Sequence, residues 1–370
     1  MITFAIRRFL VAIPTLLIAS FVMFTILYQV GDPIGRLRGQ KLDATEVARL
    51  LHENGFDKPF HERYWHWLSD FVRGDWGTSF QGNGTPVFSE VMGRMPATLE
   101  LLGVALLATL LIAVPVGILG ARFRYSLFDN IASGLSYLGF ATPTFFIGLM
   151  LQLLAIQTKE IGWGIVLVVL GLALMLVSLR RRMTSSHFKL AAIGLGVLAL
   201  GAVFFHFHQG SLLLNTAKRT TAYEDNGLLS LDHLRHLVLP VITITLISIA
   251  SWSRYLRSSM IDVLNQDYLR TARATGLSER RVIYRHAMRN AMIPLITIMA
   301  IDAAGLFQGA IVTETVFAWP GIGSQLISAV RDQNIPIAMA IVMIGAVMVV
   351  LFNLVADIAY SIADPRIRLS

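Results

Sequence analysis

The side chains best suited to bind a metal ion are histidines, and most of them lie in two polar stretches of the chain. Cysteine is absent, which excludes thiolate ligands, thiolate nucleophiles and disulfides. His61 and Glu62 begin like a zinc-binding H-E-x-x-H motif, but the next histidine is His66, one position too far along. The second group has no spacing typical of a metal site and comprises His206, His208, His233 and His236. The sequence therefore predicts no metal site.

Nucleotide hydrolysis is a second chemistry that the sequence can be tested for. The phosphate-binding pattern G-x-x-x-x-G-K-[ST] occurs nowhere in the 370 residues, so the chain has no P-loop to hold ATP. No group of residues indicates covalent catalysis either. We therefore expect a protein that is not an enzyme and has no cofactor of its own.

One ionisable side chain, that of Asp302, stands within a long apolar run. A carboxylate inside a membrane span is costly unless it has a partner or faces an aqueous path. Asp302, Gly305 and Gly309 share one face of a helix, and the G-x-x-x-G spacing lets a second helix approach closely. We expect this face to meet a partner subunit or a translocation path. A carboxyl group that is paired within the bundle, without a transport role, is the alternative.

A basic segment at residues 267–294 has the pattern of two short helices joined by a turn. Small and apolar residues recur at helical spacing until Gly276, which supplies the left-handed conformation that ends a helix. Ser278 is then a candidate N-cap, Glu279 lies in the first turn of the next helix, and Arg289 lies toward its last turn. Two such helices leaving a membrane would form a rigid prong suited to a groove on another protein.

Long apolar runs must position these residues. Hydrophobic residues make up 55% of the chain and charged residues 15%, and the mean hydropathy is +0.63, which is too apolar for a soluble globular protein. The fold class is therefore predicted to be all-α, as a polytopic bundle of transmembrane helices. Lys and Arg residues cluster in short segments beside the apolar runs, which indicates orientation in a membrane and argues against nucleic-acid binding.

The apolar runs divide the chain into five regions. Residues 1–30 form the first span, 31–95 a small extracytoplasmic subdomain, and 96–158 the second and third spans, with Pro96 at a helix start. Residues 159–235 are expected to form an inserted helical hairpin and an outer loop, with a re-entrant or membrane-surface pair as the alternative. Residues 236–370 hold the remaining core spans and the loop 254–293, which gives about eight spans. With the N-terminus in the cytoplasm, more than half of the 31 Lys and Arg residues fall in the short inner segments, so both termini are predicted to be cytoplasmic.

Several stretches together resemble a known family. The core A-R-A-x-G-L-S at 272–278 is followed by H-A-x-R-N at 286–290 and by Pro294. The stretch G-D-x-G-T-S-F occupies 74–80, and 312–323 is nearly V-x-T-E-x-x-F-x-x-P-G-x-G. These motifs resemble the membrane subunits of ABC importers for dipeptides, oligopeptides and nickel, which have the type I permease fold.

The resemblance implies roles for three groups of residues. The residues implied to couple to a cytoplasmic ATPase are Arg270, Thr271, Ala272, Arg273, Ala274, Gly276, Leu277, Ser278 and Glu279. Those implied to line the translocation path or to face a partner permease are Pro143, Asp302, Gly305 and Gly309. An outer loop is implied for Glu314, Trp319, Pro320 and Gly321, where Glu314 could contact a peptide ammonium or a binding protein, or cap a local turn. One departure is that Arg270 stands where the general motif has its glutamate, and Thr271 replaces the first alanine.

The resemblance also implies partners in a bacterial inner membrane. These are a second permease subunit, two cytoplasmic ATPase subunits that carry ATP and Mg, an extracytoplasmic substrate-binding protein and membrane lipid. The implied function is import of di- or oligopeptides, with nickel or glutathione import as alternatives within the family. A proton-coupled secondary transporter using Asp302 and Asp357 would need no ATPase, and a signalling sensor would need an output domain that the sequence lacks.

Overall fold

The computed structural model describes residues 2–30, 58–80, 84–157 and 231–363, together with positions 45, 49 and 52, and these are mostly helical. The helices are α1 (Ile2–Val30), α2 (Phe60–Arg73), α3 (Val87–Arg122), α4 (Leu127–Ala141), α5 (Thr144–Gln157), α6 (Leu231–Leu264), α7 (Asp267–Ala274), α8 (Glu279–Arg281), α9 (Met288–Val316), α10 (Ile322–Arg331) and α11 (Ile335–Ala363). A π-helical segment, Val282–Ala287, joins α8 to α9. The predicted inserted hairpin and residues 364–370 lie outside the described part.

The chain divides into two compact units. One consists of residues 1–145 and 240–370, and it contains every candidate site residue named above except the outer histidines. The other consists of residues 146–239, of which the structure describes most of α5 and the beginning of α6.

Among the described residues, five helical stretches are long and apolar enough to cross a membrane. They are Leu10–Leu27, Val87–Arg122, His236–Leu264, Glu279–Phe307 and Ile335–Val355, and the pair Leu127–Ala141 and Thr144–Ala155 gives a sixth if counted as one span. This confirms the predicted polytopic helical bundle, with five or six candidate spans among the described residues. The total of eight stays a prediction, because the hairpin lies outside the described residues.

Two prolines lie inside helices at positions where the sequence predicted a helix boundary. Pro96 was expected at a helix start, but α3 begins at Val87 and contains both Pro96 and Pro115. Pro294 likewise lies inside α9. A proline removes one helical hydrogen bond, but where a helix continues into a membrane span the rest of its backbone has no better partner than the helix itself. The second half of the predicted prong is therefore the beginning of a span, and Arg289 lies in its first turn and not in a last one.

The third apolar run is broken where the sequence predicted one continuous span from 130 to 158. Helix α4 ends at Ala141 and α5 begins at Thr144. Pro143 lies in the break and disfavours the helical conformation for the residue before it, and Thr142 is extended, with φ −94° and ψ 127°. The break has an identifiable cause in the sequence that hydropathy alone does not show.

The core beneath residues 267–287 is built from α3, α6, α7, the π-helical segment and α9. Its buried members are Ala113, Ile118, Ala121, Trp252, Leu256, Met260, Leu269, Val282, Ile283, Ala287, Ala291 and Leu295. Helices α3 and α6 approach so closely that a Cβ on Gly117 would lie 2.9 Å from Leu256 Cβ and 3.0 Å from the Ser253 carbonyl oxygen. This packing fixes α6 and α3 against the segment that follows them.

The described part of the predicted extracytoplasmic subdomain is pinned to the start of α11. Asn334 accepts a hydrogen bond from the backbone N–H of Phe80 and donates its amide to Ser79 Oγ at 2.8 Å. The loop is closed by Ser79 N–H donating to the Thr85 carbonyl at 2.9 Å and by Val87 N–H donating to the Gly77 carbonyl at 3.0 Å. The motif at residues 74–80 is thus a folded loop with a fixed attachment.

Candidate functional site

Residues 267–287, here called the elbow, carry the candidate coupling residues. Helix α7 ends in a Schellman motif, in which Leu277 N–H donates to the Ala272 carbonyl and Gly276 N–H donates to the Arg273 carbonyl. Gly276 has φ +80°, and a Cβ at this position would meet nothing within 4 Å. Glycine is therefore needed for its backbone conformation and not for lack of space. The predicted end of the helix at Gly276 is confirmed.

An ion pair spans the turn of the elbow. The Arg273 guanidinium donates from Nε to Glu279 Oε2 and from Nη2 to Glu279 Oε1, both at 3.1 Å. The Glu279 carboxylate raises the pKa of Arg273 further above its usual value. Both side chains are well exposed, so the pair contributes little to stability but holds the two arms of the turn in one geometry. The predicted position of Glu279 in the first turn is confirmed, whereas its partner was not foreseen.

Ser278 occupies the N-cap position of α8, as predicted. Its carbonyl oxygen accepts the N–H groups of Arg281 and Val282 at 2.8 and 3.0 Å. Its hydroxyl makes no capping hydrogen bond, so the serine acts here through its extended backbone.

The underside of the elbow is buried in the bundle. Leu269, Val282 and Ala287 have no exposed surface, and they pack with Leu256 and Met260 of α6. On the opposite side, Asn290 Nδ2 donates to the Tyr268 hydroxyl at 2.8 Å and so ties α7 to the beginning of α9. The elbow is therefore a rigid extension of α6 and α9 and not an independent loop.

The surface of the elbow that faces away from the bundle is exposed and basic. Among the nine candidate coupling residues, Ala272 and Leu277 are half-buried and the other seven are exposed. Beside them lies an open cleft of about 430 Å³, lined by Ser278, Arg280, Arg281, Tyr284 and Arg285. A surface with exposed backbone turns, three arginines and a buried rigid base can bind another macromolecule through polar contacts.

A buried ion pair lies between α4 and α6, and sequence reasoning missed it. The Arg257 guanidinium donates to both carboxylate oxygens of Asp129, with 2.7 Å between Nη2 and Oδ2. Asp129 is almost completely buried, and its Oδ2 also accepts the N–H of Tyr125 at 2.8 Å. The two residues are 128 positions apart, so only a comparison of related sequences could have paired them.

Asp302 has a hydrogen-bond partner within the bundle. The indole N–H of the fully buried Trp252 donates to Asp302 Oδ2 at 2.7 Å. The same face of α9 is open at Gly305, where a Cβ would meet nothing within 4 Å, and Ile301 beside it is exposed. Gly309 lies one turn further along α9, whereas Pro143 lies in the break between α4 and α5. Asp302 is thus half-buried, next to the exposed positions 301 and 305 of α9.

The carboxylate of Glu314 is completely buried and holds the beginning of α10. Its Oε2 accepts the N–H groups of Gly323 and Ser324 at 2.7 and 3.0 Å, and its Oε1 accepts the Thr98 hydroxyl at 2.7 Å. Thr98 Oγ1 in turn accepts the N–H of Ile322 at 2.9 Å. These residues, here called the Glu314 clamp, join α3, α9 and α10. In this conformation Glu314 caps a local turn, the second of the two roles expected from the sequence.

Glu314 was predicted in an outer loop, but it lies in the last turn of α9, and only Trp319, Pro320 and Gly321 lie between α9 and α10, next to the clamp. Trp319 is buried and donates its indole N–H to the Ala97 carbonyl at 2.9 Å. Pro320 and Gly321 follow it, and a Cβ on Gly321 would overlap the Glu314 carboxylate. The glycine is therefore needed for a close approach, which the motif did not reveal by itself.

Metal binding gains no support from the described residues. Among them, no group of three or more His, Cys, Asp or Glu side chains could hold a metal ion. His61 and His66 are both exposed on α2, while His206 and His208 lie outside the described part. The absence of a site at the outer histidines stays a prediction.

Comparison with known proteins identifies the family. Residues 113–369 match the description "Binding-protein-dependent transport system inner membrane component", and residues 1–102 match the N-terminal part of such membrane components. The chain belongs to this family. The permease is 34% identical over 369 residues to the "Oligopeptide transport system permease protein AppB" of Bacillus subtilis, with 100% of both chains covered.

Other relatives of the permease carry related names. It is 35% identical to the "Dipeptide transport system permease protein DppB" of Escherichia coli K12, with 100% of this chain and 99% of the relative covered. It is 30% identical to the "Glutathione transport system permease protein GsiC" of Salmonella typhi with the same coverage. The resemblance stated from the motifs is therefore confirmed at the level of the family and its inner-membrane location.

Proposed function

We propose that the permease is the membrane-spanning subunit of an ABC importer for di- or oligopeptides. The observation that carries this proposal is the match over the whole chain to relatives named for oligopeptide and dipeptide transport. Glutathione, named for another relative, is itself a tripeptide, so it falls within the same chemical class. Nickel import stays the alternative that the motifs imply within the same family.

The proposed partners follow from the same reasoning. A second permease completes the translocation path, two cytoplasmic ATPase subunits bind ATP and Mg, and an extracytoplasmic protein delivers the peptide. The chain itself contains no P-loop, so the hydrolysis is assigned to the partners. The excess of Lys and Arg in the predicted inner segments supports an orientation with both termini in the cytoplasm.

The elbow is proposed to receive the motion of the ATPase subunits. Its outer surface is exposed, while its base is packed against α3 and α6 and continues through the π-helical segment into α9. A displacement at Gly276 would therefore move α6 and α9 together, because no flexible linker separates the elbow from these spans. This geometry supports alternating access that is driven by the ATPase subunits on the cytoplasmic side.

The open face of α9 is proposed to meet the second permease or the translocation path. Asp302 is held by Trp252 at the edge of this face, and Gly305 leaves room for a second helix or a substrate backbone. Gly309 on the same helix and Pro143 at the break between α4 and α5 are assigned to the same role.

Cysteine cross-linking tests these assignments directly, because the native chain contains no cysteine. In the assembled transporter, a cysteine at the exposed Thr271 is expected to cross-link to an ATPase subunit. A cysteine at Gly305 is expected to cross-link to the second permease. A cysteine at Leu111, which is exposed on α3, serves as the control and is expected to capture neither partner. Peptides presented with the cognate binding protein should raise ATP hydrolysis, whereas nickel should not. Transport that persists without any ATPase would instead support a proton-coupled transporter.

Substitution of Gly276 tests the elbow itself. Gly276→Ala forces a side chain into the left-handed region, which costs about 1–2 kcal/mol, although there is ample space for the methyl group. We expect peptide-stimulated ATP hydrolysis to fall several-fold in this variant and to be largely retained in Gly276→Asn, because asparagine tolerates this conformation. Equal activity of the two variants would show that the left-handed turn is not required for coupling.

A further inference from the structure

Helix α2 carries three distinct sectors when its residues are placed on a helical wheel. The first sector packs into the protein and contains Phe60, Tyr64, Trp67, Leu68 and Phe71. The adjoining sector contains His61, Trp65 and Val72, all of them exposed. The remaining sector is entirely polar and contains Glu62, Arg63, His66, Ser69, Asp70 and Arg73. The apolar surface of α2 therefore extends beyond the part that the protein covers.

The contacts of Tyr64 set the depth of α2 relative to the membrane. Its hydroxyl is 2.9 Å from Ser20 Oγ and donates to the Leu17 carbonyl at 3.2 Å. Both partners lie within the apolar stretch Leu10–Leu27 of α1, and Ser20 is about 10 Å from its C-terminal end at 1.5 Å per residue. Leu27, the last residue of that stretch, packs against the buried cluster that contains Tyr64, so α2 lies near the end of the apolar stretch.

A second span gives the same level independently. Tyr64 shares a buried cluster with Phe24 of α1 and with Ile335 and Met339 of α11. Ile335 is the first residue of the last candidate span. Two spans that run in opposite directions therefore place α2 at the same boundary between the apolar layer and its surroundings.

The exposed apolar residues of α2, Trp65 and Val72, lie next to exposed apolar residues of α1. Phe21 is 47% exposed within the first span, and its ring lies against Phe60 and Tyr64 at centroid distances of 6.1 and 5.2 Å. The Tyr64 ring is in turn 5.2 Å from that of Trp65. Trp65 is 61% exposed and Val72 is 77% exposed. An aromatic surface at this level is typical of side chains that lie where lipid headgroups meet acyl chains.

We propose that α2 is an interfacial helix that binds the lipid surface through Trp65 and Val72. The polar sector faces water, and the sector with Tyr64 faces the bundle, so the helix axis lies in the plane of the membrane surface. The occupant is lipid and not a soluble protein, because Trp65 and Val72 continue into exposed apolar residues of α1 that lie inside a candidate membrane span. The proposal depends on neither the substrate nor the direction of transport.

Lipid contact at α2 has a structural consequence for the loop at residues 74–80. Trp76 stacks on Phe71 of α2 at 4.9 Å and donates its indole N–H to the Phe71 carbonyl at 3.1 Å. The same loop is pinned to Asn334 before α11. The membrane surface therefore helps to fix the height of this loop.

Spin labelling tests the proposal in the full-length chain, reconstituted in phosphatidylethanolamine and phosphatidylglycerol vesicles. Single cysteines at Val72 and at His66 place the nitroxide in the apolar and polar sectors of the same helix, without background from native cysteines. We expect the ratio of collisions with oxygen to collisions with a water-soluble nickel chelate to be several-fold higher at position 72 than at position 66. Equal ratios at the two positions would overturn the proposal.

A second variant covers any effect of the label. The chain is reconstituted in vesicles whose phospholipids carry bromine near the headgroup end of the acyl chains. Bromine quenches tryptophan fluorescence on contact, so we expect the part of the fluorescence that comes from Trp65 to be quenched. The Trp65→Phe variant should lose that part, whereas Trp76→Phe, which removes a tryptophan from the loop, should not. Unchanged quenching in Trp65→Phe would contradict lipid contact. If the nitroxide at position 72 were shielded from the water-soluble chelate only when an extracytoplasmic protein is bound, the surface would bind that protein and not lipid.

Discussion

Replacing Gly323 by alanine is expected to lower the stability of the permease by about 3 kcal/mol or more, at the upper end of the cost of overpacking. A Cβ at this position would lie 2.6 Å from Ile311 Cα and 2.8 Å from Glu314 Oε2. The first contact is with backbone and cannot be relieved by rotating a side chain. The second displaces the carboxylate that accepts the N–H groups of Gly323 and Ser324. Both steric and hydrogen-bonding costs therefore arise from one methyl group.

The measurement is thermal unfolding of the purified chain, followed by the loss of monodisperse protein. Gly305→Ala is the matched control, because it also adds one methyl group to the region of α9 but meets nothing within 4 Å. Alanine is also the better helix former, so the control should unfold at the same or a slightly higher temperature. If Gly323→Ala melted together with Gly305→Ala, the Glu314 clamp would not be packed as the structure shows.

The sequence could predict features that depend on local spacing. Gly276 followed by Ser278 indicated the end of one helix and the beginning of the next, and both positions are confirmed. The reason is that a Schellman turn and an N-cap are formed by residues within six positions of each other. The apolar runs likewise indicated the membrane spans, because span length is set by the thickness of the bilayer.

Proline could not be interpreted from local sequence alone. Pro143 breaks a span, while Pro96, Pro115 and Pro294 lie inside helices. The cost of each lost hydrogen bond is similar, so the outcome depends on whether neighbouring helices hold both sides of the helix in line. That support is a property of the tertiary structure.

Side chains that pair over long distances in sequence were also beyond prediction. Asp302 was identified as exceptional, but its partner Trp252 was not, since an indole within an apolar run is not distinguishable from other core residues. Glu314 was identified by its motif, although only the structure shows Thr98 as the third member of its contacts. In each case the chemistry of one residue was visible and the geometry that satisfies it was not.

Separating Asp129 from Arg257 is expected to have the second large effect. Arg257→Gln leaves the almost completely buried Asp129 carboxylate without its counter-ion, and Asp129→Asn leaves a largely buried guanidinium. Breaking a buried pair in this way costs about 3–5 kcal/mol, and the partial exposure of Arg257 places this pair at the lower end. The double variant, Asp129→Asn with Arg257→Gln, should recover much of the loss. An amide at position 129 can still accept the N–H of Tyr125 and pair with the new glutamine.

The ion pair between Arg273 and Glu279 provides the matched control for that double-mutant cycle. It has the same bidentate chemistry but is well exposed on the elbow, so neutralising both residues should show a coupling energy of only about 0–1 kcal/mol. Added salt should weaken this exposed pair and leave the buried one nearly unchanged, because counter-ions cannot approach Asp129. Equal coupling energies for the two pairs would show that burial at Asp129 does not strengthen the connection between α4 and α6. A larger coupling energy for the Asp129 pair that does not change with salt would show that this pair fixes α4 to α6.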